Sequence, residues 1–313
     1  MKAKTIKKVI REKVDQWLAS IEDEAVRSLA SKNTIVTGGC IASMLLREPV
    51  NDFDLYFTNR ETTLAVAKYY VARFKSKNAS GIEVPIFVDD KDDRIRIVAK
   101  SAGIASEEGA GTPYEYFESR PDDEAGQYVG EVLGDAGDIE EALEETSALA
   151  LEASDDGKPK YRPVFMSTNA ITLSHRVQIV LRFYGDADAI HENYDYVHCT
   201  NYWTSKDGEL TLRQPALESL LARELRYVGS KYPICSVIRL RKFIKRNWSI
   251  NAGQILKMML QVTELDLKDH NVLQDQLTGV DAAYFVQLFS KIREKDPEKV
   301  DSAYLVEIID RMF

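Results

Sequence analysis

Apolar residues in the first thirty positions recur at the three- and four-residue spacing of an amphipathic helix. This spacing predicts one or two helices over residues 3–30. The apolar stripe consists of Ile6, Val9, Ile10, Val14, Trp17, Leu18 and Ile21. The pattern then changes to the β-branched stretch "NTIVTGG", which predicts a short strand that ends in a bend at its two glycines.

Three further elements follow the bend in quick succession. The stretch "CIASMLLRE" has helical spacing and stops before Pro49, a residue type that disfavours helix at the position preceding it. The stretch "DFDLYF" alternates acidic and hydrophobic residues, as a strand does when one of its faces is buried. Residues 61–76 again show helical spacing. The chain therefore begins with a domain that mixes helices and strands.

Strand patterns dominate the middle of the chain and helical patterns dominate its end. The predicted strands are "EVPIFVD", "DRIRIVAK", "PVFMSTNAITL", "RVQIVLRF" and a hairpin of "NYDYVHCTNYW" with "GELTL". From Gln214 onward the apolar residues fall on helical stripes. We expect an α+β fold, in which a mixed sheet with flanking helices over residues 1–212 is followed by an all-helical domain over residues 213–313.

The charge of the chain is concentrated in one segment. Residues 101–160 hold 17 acidic and three basic residues, a balance of −14 against −9 for all 313 residues, so the remainder carries +5. This segment resembles a surface insertion, which either is a plain loop or shields a cleft by imitating nucleic-acid charge. The mildly basic remainder is compatible with a polyanionic partner.

Other composition signals are weak. The cysteines Cys40, Cys199 and Cys235 show no metal-ligand spacing, and an odd number argues against a disulfide framework. The charged N-terminus and the absence of a long apolar run predict neither a secretory signal nor a membrane span. We therefore expect a cytoplasmic protein without a membrane partner, and the sequence predicts no oligomeric state.

The pair Asp52 and Asp54 carries the first candidate chemistry. Residues two apart on a strand point to the same face, so the two carboxylates project together while Phe53 points away. Adjacent carboxylates repel each other, and Mg²⁺ or Mn²⁺ removes that cost because hard cations prefer carboxylate oxygens. A two-ion site of this kind needs a further acid and suits in-line phosphoryl transfer.

The glycine pair supplies a complementary feature. Gly38 and Gly39 let the backbone bend without a Cβ and approach a ligand closely. The helix that starts near Cys40 directs its free N–H groups to the same place, which favours phosphate, and Ser43 can add a hydroxyl donor. We therefore predict that Gly38, Gly39 and Ser43 bind a nucleotide.

This arrangement resembles the DNA polymerase β-like nucleotidyltransferase superfamily, and most closely the head domain of tRNA nucleotidyltransferases and poly(A) polymerases. The resemblance rests on "VTGG" at 36–39, "DFD" at 52–54, "DYVHCTN" at 195–201 and the helical stretch "IRLRKFIKRNW" at 238–248. It implies a polymerase β-like sheet and a nucleotidyl-transfer site with two Mg²⁺ ions. The acidic segment interrupts the pattern between its second and third elements.

The sequence departs from the tRNA-type pattern at several positions. Asn193 and Tyr194 stand where those enzymes have two arginines, and Cys199 stands where they have an asparagine. Their Glu-Asp-x-x-Arg signature, which reads base edges, is represented here by Tyr232, Pro233 and Ser236. Selection of C and A is therefore unsupported, and the resemblance does not imply CCA addition.

The resemblance also indicates the remaining site residues. Asp195 is the natural third carboxylate, placed with Asp52 and Asp54 across the sheet, although a local hydrogen bond is the simpler interpretation. Arg182 holds a phosphate or is an ordinary strand residue. A basic helical face forms a rim for a triphosphate or nucleic-acid backbone, or is simply solvated. That face comprises Arg239, Lys242, Lys245 and Arg246.

The leading hypothesis is therefore an enzyme that moves a nucleoside monophosphate from ATP or another NTP to a hydroxyl group. The expected acceptor is an RNA 3′ end, and a protein hydroxyl or a small molecule is an open alternative. A metal-dependent nucleotide-sugar glycosyltransferase is a second interpretation of the D-x-D motif, but it does not require the glycine bend. A third interpretation is a non-catalytic binding or structural protein, of a kind that a virus can encode, built on the same fold.

Overall fold

The architecture is taken from a computed structural model. It describes residues 1–77, 86–91, 94–100, 113–114, 116–118, 160–167 and 169–267, together with Asp269, Val272 and Gln276. Most of the acidic segment and the predicted helices after residue 276 lie outside the described residues. Among the helices in the described ranges, none has the length and apolar character needed to cross a membrane.

Helices and strands alternate over the first part of the chain. The helices are α1 (Ala3–Ala19), α2 (Glu24–Asn33), α3 (Gly39–Leu46), α4 (Arg60–Lys77), α5 (Ala187–His191), α6 (Gln214–Ala222), α7 (Pro233–Lys245) and α8 (Ala252–Val262). The first eight strands are β1 (Thr34–Thr37), β2 (Phe53–Phe57), β3 (Ile86–Asp89), β4 (Arg96–Lys100), β5 (Pro113–Tyr114), β6 (Tyr116–Glu118), β7 (Pro163–Ser167) and β8 (Ala170–Leu173). The others are β9 (Val177–Tyr184), β10 (Tyr202–Thr204), β11 (Leu210–Thr211), β12 (Glu224–Leu225) and β13 (Ser249–Ile250).

The central sheet has eight strands in the order β11-β10-β1-β2-β9-β8-β7-β6. Its neighbours pair antiparallel except β2 and β9, which are parallel. A second sheet has the order β3-β4-β5, and β12 pairs with β13 in a short parallel ribbon. The predicted α+β class with a mixed sheet is thus confirmed.

One face of the central sheet forms the main core. Val36, Leu55 and Ile179 from neighbouring strands are fully buried there, in the cluster that includes apolar residues of α1 and α4. Within this core the indole N–H of Trp17 on α1 donates to the hydroxyl of Tyr70 on α4 at 2.9 Å. Because α1 and α4 cover this face, chemistry on the sheet is confined to the opposite face.

The C-terminal helices pack against the helix that follows the glycine bend. Ala42 of α3 belongs to an apolar cluster with Tyr196, Leu220 of α6 and Met258 of α8. The helices α6, α7 and α8 agree with the helical prediction, whereas the ribbon of β12 and β13 was not predicted. The division into domains at residues 212 and 213 stays a prediction, since α3 contacts elements on both sides of it.

Two segments differ from the sequence prediction. The acidic segment contributes β5 and β6, which pair with β4 and β7, so it supplies strands as well as any loop. The predicted strand "NYDYVHCTNYW" is wrong over most of its length, since only Tyr202–Thr204 is extended within the sheet. Before it, Tyr196 makes an isolated bridge with Tyr227, and Val197–Cys199 forms a 3-10 turn.

Candidate functional site

The glycine bend connects β1 directly to α3. Gly38 has φ +90° and is the N-cap residue of α3, a backbone conformation that favours glycine. Its N–H donates to the carbonyl oxygen of Cys199 at 3.2 Å. A Cβ at Gly38 would lie 2.8 Å from Oδ2 of Asp54, which is closer than a carbon atom tolerates. Glycine is therefore required here for two reasons, its conformation and the carboxylate beside it.

Asp52 and Asp54 follow α3 in the chain and lie close to the N-terminus of that helix. Asp54 is the second residue of β2 and Asp52 immediately precedes the strand, and both are half-buried. Burial raises the pKa of the Cys40 thiol well above its usual range, and the charges of Asp54 and Asp52 raise it further. Because Cys40 is in the first turn of α3, both carboxylates are electrostatically close to that helix terminus.

A row of polar side chains crosses the other face of the sheet at the level of Asp54. Strand register places Tyr202, Thr37, Asp54, Gln178 and Thr172 side by side on β10, β1, β2, β9 and β8. Paired residues in a sheet project to the same face, so these five side chains form one line. Sequence reasoning missed Gln178 and Thr172, whose only local signal is a polar residue among buried neighbours.

Asp195 is engaged away from the sheet. It follows α5, and its carboxylate forms an ion pair with Arg239 of α7 and accepts a hydrogen bond from the Ser236 hydroxyl at 2.7 Å. Across the described ranges, no group of three or more His, Cys, Asp or Glu side chains is placed to hold a metal ion. The prediction that Asp195 joins Asp52 and Asp54 in one metal site stays a prediction, and in this structure its two oxygens contact Arg239 and Ser236.

Asp195 nevertheless lies near the bend. Burial first, and then the charges of Asp195 and Asp54, raise the pKa of the Cys199 thiol to about 12. Arg239 acts in the opposite direction on the same thiol. Cys199 is thus within electrostatic range of both carboxylates and of Arg239, the ion-pair partner of Asp195.

A buried histidine supports the end of β1. His191 Nε2 is 2.8 Å from the Thr37 hydroxyl, which donates to the carbonyl of Asn201 at 2.8 Å. The hydroxyl hydrogen is committed to Asn201, so the Nε2–H of His191 donates to Thr37. Burial, followed by the charge of Arg213, lowers the pKa of His191 to about 4. The neutral ring of His191 thus fixes the strand that ends in the bend.

The other predicted nucleotide-binding residues occupy different positions. Ser43 is half-buried in the second turn of α3 because the helix begins at Gly39. Lys242 is half-buried on α7, the helix that carries Arg239. Arg182 lies four residues beyond Gln178 on β9, roughly 13 Å along the strand at about 3.3 Å per residue. The nucleotide-binding roles of these residues stay predictions, and Arg182 does not lie beside the carboxylates.

The donor set at Asp52 and Asp54 can be compared with the needs of a magnesium ion. Mg²⁺ is commonly held by one or two carboxylates together with substrate phosphate oxygens. Two half-buried carboxylates close to the N-terminus of α3 fit that requirement. A second ion would need a further acid, and the predicted one, Asp195, is paired with Arg239 in this structure.

Comparison with known proteins gives one family match. The family model described as "Gad2: Gabija anti-defense 2 family protein" matches residues 8–223. A curated relative, "Gabija anti-defense 2" of Bacillus phage SPbetaL7, is 24% identical over 119 residues. That alignment covers 38% of this chain and 30% of the relative, so the chain spans under a third of the relative's length.

Similar solved structures include CCA-adding enzymes. The Thermotoga maritima enzyme complexed with tRNA has a TM-score of 0.37 and 12% identity, covering 90% of this chain and 54% of that one. The Bacillus stearothermophilus enzyme in complex with CTP has a TM-score of 0.34 and 10% identity, covering 86% of this chain and 51% of that one. This chain thus spans about half the length of those enzymes, and similarity at this level does not bear on function.

Proposed function

The chain belongs to the Gabija anti-defense 2 family, and from that premise we propose that it is a nucleotidyltransferase that counteracts Gabija defense. In this proposal it moves a nucleoside monophosphate from an NTP to a hydroxyl acceptor, with an RNA 3′ end as the expected acceptor. The transfer would alter a nucleic acid on which the defense or its control depends.

One observation carries the proposal, namely the contact of Asp54 with Gly38 at the start of α3. The N-terminal turn of α3 offers backbone N–H groups that have no partner within the helix, and such a turn favours phosphate. The carboxylate of Asp54 lies against the same bend, at 2.8 Å from the Cβ position of Gly38. Hydrogen-bond donors for phosphate and a cation ligand thus lie side by side, which supports nucleotidyl transfer.

The residues around the bend have separable roles in this proposal. Asp52 and Asp54 would hold Mg²⁺, which when bound neutralises phosphate charge and polarises the phosphoryl group. The first turn of α3 would orient the triphosphate, and Gln178 would donate an amide hydrogen bond beside Asp54. Asp195 would act as a positioning residue, since its carboxylate fixes the guanidinium of Arg239 near Cys199.

A second function, nucleotide or nucleic-acid binding without catalysis, is favoured by one observation. Asp195 is neutralised by Arg239, and the described residues offer no third acid at Asp52 and Asp54. Two-ion phosphoryl transfer uses further acids, so a site with two carboxylates can bind an NTP without turning it over. A protein of this kind would counteract the defense by sequestering a nucleotide or nucleic acid.

An incorporation assay tests both functions. The full chain is mixed with each labelled NTP, with Mg²⁺ or Mn²⁺, and with pools of RNA, DNA and protein acceptors. We expect label on RNA, and we expect its loss in Asp52→Asn/Asp54→Asn. Asp15→Asn is the matched control because Asp15 is an exposed acid on α1. Metal-dependent NTP binding without label in any pool would favour the second function, and the absence of both would overturn the proposal.

A further inference from the structure

A cluster of three cations lies beyond the polar row, at the C-terminal end of β9. It consists of Arg94, which precedes β4, of Arg182 on β9, and of Lys231, which precedes α7. Two of these cations flank one aromatic ring, since the Phe183 centroid lies 5.5 Å from Cζ of Arg182 and 5.6 Å from Nζ of Lys231. Both distances are within the range of cation–π attraction. The ring therefore holds two positive charges near each other.

Hydrogen bonds orient the guanidinium groups of Arg182 and Arg94 in this cation cluster. The Nε–H of Arg182 donates to the hydroxyl of Tyr232 at 2.9 Å. An NH₂ group of Arg94 donates to Oδ1 of Asn169 at 3.0 Å. An arginine that is already oriented loses less entropy when it binds an anion, so these contacts pre-organise the two guanidinium groups for a ligand.

The charges of the two arginines act on Lys231. Burial first, and then the charges of Arg182 and Arg94, lower the pKa of Lys231. Glu192 acts in the opposite direction but is outweighed. An anion placed among the three cations would relieve their mutual repulsion, which is a property of a preformed anion site.

The cation cluster lies further along β9 than the polar row. Gln178 pairs with Asp54, and the register of β2 with β9 shifts between Leu55 and Phe57, opposite the stretch of β9 that contains Arg182. Val180, between Gln178 and Arg182, is fully buried. The two sites are therefore separate, roughly 13 Å apart along the strand at about 3.3 Å per residue.

We propose that Arg94, Arg182 and Lys231 bind the phosphate backbone of a single-stranded nucleic acid whose 3′ hydroxyl reaches Asp52 and Asp54. The inference rests on the proposed nucleotidyl transfer and names its acceptor class. Planar arginine forks match phosphate oxygens, and contacts to phosphate carry no base information. Recognition of the acceptor through these three residues is therefore independent of its sequence.

Fluorescence anisotropy with the full chain and a labelled 15-nucleotide single-stranded RNA tests the inference, without NTP or divalent metal. The variants are Lys231→Gln and Arg94→Gln, and Lys32→Gln is the control because Lys32 is exposed at the end of α2. We expect each cluster variant to weaken binding about five-fold near 0.1 M salt and to reduce the salt slope by about 0.7. The control should remain within two-fold, and Lys231→Arg should restore affinity.

Further arms of the experiment identify the ligand. Single-stranded DNA and a scrambled RNA should bind as tightly as the first RNA, since the phosphate backbone is common to all three. Displacement of RNA by polyglutamate at equal charge concentration would overturn the assignment to nucleic acid. Unchanged affinity and salt slope in both cluster variants would overturn the site itself.

The outcomes for this inference and for the proposed function are distinguishable. Weaker RNA binding in the cluster variants, combined with no label transfer by the unaltered chain, keeps the phosphate site and removes nucleotidyl transfer. Label transfer to RNA that is unaffected by Lys231→Gln and Arg94→Gln keeps the proposed function and removes this inference.

Discussion

The Oδ2 atom of Asp54 lies 2.8 Å from the position that a Cβ atom would occupy on Gly38. The bend after β1 and the carboxylate on β2 are thus a single structural unit, because neither can move without disturbing the other. For Gly39, the next residue, no atom of a described residue beyond its chain neighbours and its own helix backbone lies within 4 Å of the Cβ position. The two glycines of the motif therefore differ in what they contribute.

Gly38→Ala should abolish nucleotidyl transfer and lower the free energy of unfolding by about 1–3 kcal/mol. The added Cβ strains the backbone at φ +90° and displaces the Asp54 carboxylate. Gly39→Ala is the matched control, and it should be neutral or stabilising by up to about 1 kcal/mol inside α3. Urea unfolding and label incorporation measure the two effects. Equal behaviour of both alanine variants would contradict the asymmetry.

Asp195→Asn and Arg239→Gln should each destabilise the fold by about 1–3 kcal/mol, and their effects should not add in the double variant. The Asp195 side chain is only 10% exposed and is paired with Arg239, so removing either partner leaves the other poorly satisfied. The magnesium concentration that gives half-maximal transfer should stay the same in Asp195→Asn. A large increase in that concentration would instead identify Asp195 as a metal ligand.

The stability of the fold should fall as the pH drops from about 6.5 to about 4. Burial lowers the pKa of both His191 and His198 from 6.5 to about 4, so both rings stay neutral in the folded chain. The unfolded chain binds protons at both histidines below pH 6.5, and the stability each provides is present above that pH and lost below it. Each histidine accounts for up to about 3 kcal/mol at pH 4.

The histidine prediction is measured by urea unfolding between pH 4.5 and 7.5. His191→Gln and His198→Gln should each flatten the dependence of stability on pH, since carboxylates titrate similarly in all three proteins. An unchanged slope between pH 5 and 6.5 in both variants would show that the buried rings already bind protons in the folded chain.

Tyr70→Phe should lower the free energy of unfolding by about 1–3 kcal/mol, because it leaves the buried N–H of Trp17 without its acceptor. Tyr69→Phe is the matched control, since the Tyr69 hydroxyl accepts from the N–H of Glu22 at an exposed position that water can reach. Both variants should retain nucleotidyl transfer because Tyr69 and Tyr70 lie on α4, beside the covered face of the sheet. Loss of transfer in a folded Tyr70→Phe protein would contradict that separation.

The bend and its two carboxylates are predictable from sequence because their signals are local. A strand, a glycine with positive φ, a helix and an alternating strand occur within residues 34–57 and need no distant information. The row that contains Asp54, Gln178 and Thr172 is different. It depends on the parallel pairing of β2 with β9, and no local pattern gives that register.

The position of Asp195 could not be predicted for a related reason. Alternating aromatic residues around it favour a strand, but Tyr196 and His198 pack instead against Phe243 and Trp248. Tertiary packing thus overrides the strand preference. The partner that neutralises Asp195, Arg239, is distant in sequence and is brought close only by this packing.

The parallel pairing of β2 with β9 also determines when the site is completed during synthesis. Helix α4, the second sheet and the acidic segment are all made between Asp54 and Gln178. Each doubling of the length of such a connection costs only about 0.6 kcal/mol of loop-closure free energy, so its length has little effect on the stability of the folded chain. Its effect is kinetic, because distant strand pairs form slowly. A nascent chain in which β9 has not yet been synthesised already contains the bend and both carboxylates. In that chain the edge of β2 that pairs with β9 is still unpaired.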